Sequence, residues 1–168
     1  GSEVMFGGYQ ADTITAGDGN DFIFGGDGAD TIDAGAGNDV VYTSLAGLIE
    51  DVSIKGGTGS NTLAFNKPGE AGGWDNESYN AVSFNLSNGL GNATNFQNIV
   101  GSNSDDTLTG DSAANVIIGG SGADTLSGGD GNDEIFVDPT SALRINGSDI
   151  TLANVSCGGI TSYVEDGS

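Results

Sequence analysis

The stretch from Gly7 to Tyr42, read in nines, is GGYQADTIT (7–15), AGDGNDFIF (16–24), GGDGADTID (25–33) and AGAGNDVVY (34–42). Each unit opens on Gly or Ala, runs through a turn to Asp at the sixth place, and sets an aliphatic residue at the eighth. Three residues such as Thr31-Ile32-Asp33 make a short strand, whose middle side chain points one way and whose neighbours point the other. The six residues before them turn the chain, because Gly tolerates positive φ and close backbone approach. Two nonamers then form one coil of 18 residues with two short parallel strands. Stacked coils give two parallel sheets facing each other across a thin core, an all-β solenoid.

The pattern returns at GGTGSNTLA (56–64), with Asn61 in the place of Asp. It returns again at GSNSDDTLT (101–109), GDSAANVII (110–118), GGSGADTLS (119–127) and GGDGNDEIF (128–136). The eighth places predict the core: Ile14, Ile23, Ile32, Val41, Leu63, Leu108, Ile117, Leu126 and Ile135. The chain reads as one module, with a first repeat block at 7–42 and a degenerate region at 43–64 whose register is lost before Gly56. An insert follows at 65–100, then the second block at 101–136 and a C-terminal cap at 137–168. Inside the insert, AVSFNL (81–86) alternates as a strand does and FQNIV (96–100) leads back into the repeat. The cap holds two further strand-like runs, LRINGSDITL (143–152) and ITSYVE (160–165).

Charge narrows the partners. The 168 residues include 31 Gly, and 24 Asp plus Glu stand against 3 Lys plus Arg, a net charge of −21. Such a chain repels nucleic acid phosphates and anionic membranes and attracts multivalent cations. With no His and a lone Cys157, neither the common zinc ligand sets nor an internal disulfide can be assembled, whereas oxygen ligands are plentiful. No run approaches the roughly 20 apolar residues needed to span a bilayer, and the N-terminus lacks the pattern of a cleavable signal.

The acidic residues are themselves periodic. Asp12, Asp21, Asp30 and Asp39 recur every nine residues, so Asp12 and Asp30 fall on one side of the stack and Asp21 and Asp39 on the other. In the second block Asp106 pairs with Asp124, and Asn115 with Asp133. Calcium takes six to eight hard oxygen ligands in tolerant geometry, which stacked turns can offer, whereas magnesium demands a stricter octahedron. Several bound calcium ions are therefore expected, and without them the carboxylates would repel one another down both edges.

The units AGDGNDFIF, GGDGADTID, GGSGADTLS and GGDGNDEIF resemble the GGxGxDxUx nonamers of the RTX family. That resemblance implies a parallel β-roll, type I secretion, and folding when the chain meets extracellular calcium. It also implies a ligand set. The sixth-place residues Asp12, Asp21, Asp30, Asp39, Asn61, Asp106, Asn115, Asp124 and Asp133 would supply side chains. The turn glycines Gly8, Gly17, Gly19, Gly26, Gly28, Gly35, Gly37, Gly120, Gly122, Gly129 and Gly131 would supply carbonyls. Gln10, Ser104 and Ala113 depart from the motif at turn positions, as Asn61 and Asn115 do at the sixth place, so the sites they touch should be weak or empty.

The outward strand positions alternate by unit. Thr13/Thr15, Thr31/Asp33, Thr107/Thr109 and Thr125/Ser127 make one sheet polar outside, while Phe22/Phe24, Val40/Tyr42, Val116/Ile118 and Glu134/Phe136 make its partner largely apolar. That apolar face should be covered by the insert or the C-terminal segment, or by an adjacent domain. Catalysis finds little support: no Ser/His or Cys/His machinery is possible, and Asp75 with Glu77 reads as a solvated rim rather than an acid/base pair. The expected role is a calcium-binding structural and secretion module of a larger exported protein. The alternative is a carbohydrate- or surface-binding module in which Trp74 and Tyr79 stack on sugar rings.

Overall fold

A computed structural model describes residues 1–43, 45–65, 80–88, 92–136, 142–145, 149–151 and 163–165. The chain divides into two compact units, the first formed by residues 1–78 with 88–96 and the second by 79–87 with 97–168. Each is a stack of parallel β coils.

In the first unit, β1 (Val4–Gly8), β3 (Phe22–Gly26), β5 (Val40–Tyr42) and β7 (Thr62–Ala64) lie side by side in one sheet. The facing sheet holds β2 (Thr13–Thr15), β4 (Thr31–Asp33), β6 (Ser53–Lys55) and β9 (Ala93–Thr94). All pairings are parallel, and the register is that of an 18-residue coil: Ile14 lies beside Ile32, and Met5 beside Ile23 beside Val41. The second unit repeats the plan. One sheet runs β10 (Asn98–Val100), β12 (Val116–Ile118), β14 (Asn132–Phe136), β16 (Asp149–Thr151), and the other runs β8 (Ser83–Asn85), β11 (Thr107–Thr109), β13 (Thr125–Ser127), β15 (Ala142–Ile145), β17 (Tyr163–Glu165).

The nine predicted core residues are all buried, Ile14 at 9 % exposure and the others at 0–1 %. Ile54, Phe84 and Ile99 join them from strands outside the strict nonamers. Most of these side chains are the middle residue of a three-residue strand, while Ile23 and Ile135 lie one residue from an end of five-residue strands, and the pleat turns each inward while its neighbours face out.

Three differences from the sequence reading concern register. The repeat begins before Gly7, because Ser2 to Phe6 form the end of a unit with Met5 beside Ile23. The region 43–55 does not leave the coil: a short helix, α1 (Leu45–Glu50), widens one turn, after which β6 rejoins its sheet with Ile54 beside Ile32. An extra residue there lets Val52 and Ser53 both donate to the Asp30 carbonyl, at 2.8 and 3.3 Å, which shifts the repeat out of its nine-residue frame. Third, the described strands of the insert and of the C-terminal segment extend the sheets rather than lie across the apolar face. Strand edges carry unpaired N–H and C=O groups, and adding a parallel strand satisfies a whole row of them.

On the apolar face of the first unit, Phe6, Phe24 and Tyr42 form a ladder of stacked rings, with centroids 4.8 and 4.5 Å apart and planes within 7° of parallel. Val4 and Phe6 remain exposed there. The insert tip with Pro68, Trp74, Asp75, Glu77 and Tyr79, and the segment containing Cys157, lie outside the described residues.

Candidate metal centres

The sixth-place residues gather on the turns as their spacing requires, and the structure adds how they are held. Along each row of turns a backbone N–H donates to Oδ1 of the sixth-place side chain one coil further on. In the first unit the pairs are Glu3 to Asp21, Asp12 to Asp30, Asp21 to Asp39 and Asp39 to Asn61, at 2.8–3.0 Å. In the second they are Val82 to Asp106, Asp106 to Asp124 and Asn115 to Asp133, at 2.7–3.0 Å. Each side chain thus clips its own turn to the turn before it.

That bond uses one oxygen of the carboxylate. The other, Oδ2, is fully buried and without a hydrogen-bond partner in Asp21, Asp30, Asp39 and Asp133. A buried carboxylate oxygen left unpaired is costly, because the charge has lost water and gained nothing. Desolvation accordingly raises the carboxyl pKa of Asp30, Asp39 and Asp133, against the lowering effect of the backbone hydrogen bond each accepts. Asp106 is raised as well, again chiefly by burial.

The first place of the unit is shaped by the same oxygen. A Cβ at Gly25 would stand 2.8 Å from Asp30 Oδ2, and at Gly119 and Gly128 it would run into Oδ2 of Asp124 and Asp133. The second- and fourth-place glycines named above all have positive φ, between 91° and 147°. Their carbonyls are partly engaged already, since those of Gly8, Gly17 and Gly35 accept the N–H of Asp27, Ala36 and Thr58 from the next coil at 2.8 Å. A carbonyl oxygen has two lone pairs, so one remains for a cation. Among the described residues no three His, Cys, Asp or Glu side chains converge on one point. Any ion here must therefore draw on main-chain oxygens besides carboxylate, and hard oxygens in loose, many-coordinate array suit calcium. The buried Oδ2 atoms and glycine carbonyls fit that ion.

The sixth-place residues are not equivalent. Asp106 has both oxygens satisfied, Oδ2 by the N–H of Ser102 at 2.6 Å and Oδ1 by the Ser102 hydroxyl at 2.8 Å in addition to Val82. Asn115 and Asn61 turn amide N–H groups toward carbonyls, those of Gln97 at 2.8 Å and Asn95 at 3.3 Å.

One acidic residue escaped the sequence reading. Asp51 is 3 % exposed, its Oδ1 accepts the N–H of Asp30 at 3.0 Å, and its carbonyl accepts the side-chain N–H of Asn92. It therefore continues the row Asp12, Asp30. Its carboxyl is pushed up to about 6, by desolvation first and then by the negative charges of Asp30 and Glu50. The helix and the extra residue hid it: Asp30 to Asp51 spans 21 residues rather than 18. The signal that could have found it is Asp51 followed closely by Ile54, the sixth- and eighth-place pair stretched by one.

No helix among the described residues is long and apolar enough to cross a membrane. A search among curated proteins returns no significant match. Residues 2–41 and 100–135, in contrast, match the RTX calcium-binding nonapeptide repeat, in four copies. Those are the segments whose turns carry the four orphaned Oδ2 atoms and whose strands stack into parallel sheets, and over them, in sequence and fold alike, the chain fits an RTX β-roll module.

Proposed function

We propose that the module binds several calcium ions on its turns, folds as it does so outside the cell, and serves as a structural and secretion element of a larger exported protein. The observation that carries this reading is the set of buried, unpartnered Oδ2 atoms of Asp21, Asp30, Asp39 and Asp133. In the proposed sites Asp12, Asp21, Asp30, Asp39, Asp51, Asp124 and Asp133 supply carboxylates and the turn glycines supply carbonyls. Bound calcium would balance charge that the fold otherwise buries uncompensated. The protein's own groups orient the site: backbone N–H groups fix Oδ1, and Oδ2 is thereby aimed into the turn.

Metal that binds the folded chain and not the unfolded one contributes its binding energy to folding. Far-ultraviolet circular dichroism during a calcium titration tests the reading. The expected course is a cooperative change from a coil spectrum to a β spectrum. A chain fully folded in excess chelator contradicts calcium-driven folding.

A further inference from the structure

Two turns of the second unit are built differently from the rest, and in the same way as each other. They are the turn 101–106, sequence GSNSDD, and the turn 110–115, sequence GDSAAN, which flank β11 and β12. Neither has a glycine at its second or fourth place, and neither contains a positive φ, whereas the turns that hold orphaned aspartates carry glycines with positive φ at both.

Three hydrogen bonds close each of them. The second-place N–H donates to the sixth-place side chain: Ser102 to Asp106 Oδ2 at 2.6 Å, Asp111 to Asn115 Oδ1 at 2.8 Å. The second-place side-chain oxygen accepts the fourth-place N–H: Ser104 to Ser102 Oγ at 3.1 Å, Ala113 to Asp111 Oδ1 at 2.8 Å. Finally the two side chains join: Ser102 Oγ donates to Asp106 Oδ1 at 2.8 Å, and Asn115 Nδ2 donates to Asp111 Oδ1 at 3.1 Å. Chemically different pairs, Ser with Asp and Asp with Asn, thus reach one bonding pattern.

We infer that Ser102 and Asp111 close these turns in place of metal, so that the coil 101–118 is a calcium-independent segment within a calcium-dependent stack. This rests on the calcium reading of the glycine turns. Oxygen that a cation would need is committed here to N–H and O–H donors. The Asn115 amide also points donor hydrogens where a cation would require an acceptor, and donates to Gln97 as well. As calcium is withdrawn, the turns bearing orphaned carboxylates lose their counter-charge, while this coil keeps its three bonds per turn.

Hydrogen exchange of the full chain at stepped free calcium tests this, followed by mass spectrometry for segments 17–42 and 101–118. In the wild type, protection of 101–118 is expected to persist to free calcium about tenfold below the level at which 17–42 loses it, each net hydrogen bond being worth about that factor. The variant Ser102→Ala with Asp111→Ala should bring the 101–118 midpoint up to that of 17–42 without moving the latter. Ser102→Thr with Asp111→Asn, which keeps an oxygen at both places, should restore the separation. Loss of protection at 101–118 together with or before 17–42 in the wild type overturns the inference. So does an Ala variant whose 101–118 midpoint does not move. If protection of 17–42 ignores calcium altogether, the calcium reading has failed. The lock is then judged in chelator alone, where the Ala variant must exchange faster at 101–118 than the wild type does.

Discussion

Asp30 and Asp33 are three residues apart and differ in what surrounds them. Asp30 is buried with Oδ2 unpartnered, whereas Asp33 ends β4 with its side chain on the outer, half-exposed face. Asp30→Ala should therefore raise the calcium concentration at the folding midpoint by about tenfold or more, and Asp33→Ala should leave it nearly unchanged; equal effects from the two would contradict the assignment. Gly37 makes a second case. Its φ is 147°, and a Cβ on it would run into the carbonyl oxygen of Gly19 in the preceding coil. Gly37→Ala is expected to cost about 2 kcal/mol or more of the calcium-loaded stability, read from the denaturant midpoint.

On the proposed reading, protons and calcium compete for the same atoms. Asp51 has its folded pKa raised from 3.8 to about 6, so the calcium-free fold binds a proton that the unfolded chain has already released between those values. The contribution of this group to stability is then fully present below about 4 and is lost as pH rises through about 6. The raised pKa values of Asp30, Asp39 and Asp133 add in the same direction. Metal-stripped protein should therefore gain β signal by circular dichroism on acidification from pH 7 to pH 4.5, and Asp51→Asn should flatten that gain. A loss of β signal on acidification has the wrong sign for this account.

At the scale of elements, the strands were legible because the strict repeat writes them nine times, with the aliphatic residue at the eighth place naming the core directly. What was not legible involved offsets. Helix α1 and the extra residue before β6 add four residues between β5 and β7, so that Val40 lies beside Thr62, 22 residues on. Period-counting cannot follow such a shift, although Ile54 still reaches the core. The two locked turns were visible only as departures, Ser104 and Ala113 in place of Gly. Their meaning lay in hydrogen bonds that no spacing reveals. The aromatic ladder is the clearest gain. Alternation showed an apolar face, and the structure shows that Phe6, Phe24 and Tyr42 stack on one another up the sheet. Phe24→Ala, which removes the middle ring, should cost about 1–3 kcal/mol through lost stacking and burial. Thr13→Ala on the polar face should cost little in the same denaturation experiment.

For the whole molecule, the net charge of −21 and the proposed calcium sites are two sides of one design. A repeat with one aliphatic core residue in nine has little hydrophobic burial per residue, and on the proposed reading its acidic turns oppose stacking until a cation joins them. Charge and spacing pointed to the ion, and the resemblance in the repeats implied the ligand classes. It did not distinguish turns with orphaned carboxylates from turns that satisfy themselves, because both keep the sixth-place polar residue. The central claim is that calcium sits on the former. Long-wavelength anomalous diffraction from crystals of the calcium-loaded chain measures this directly. The account predicts anomalous peaks within coordination distance of Oδ2 of Asp21, Asp30, Asp39 and Asp133, and none in the turns 101–106 and 110–115. Absence of peaks at those four oxygens in calcium-saturated crystals would contradict it.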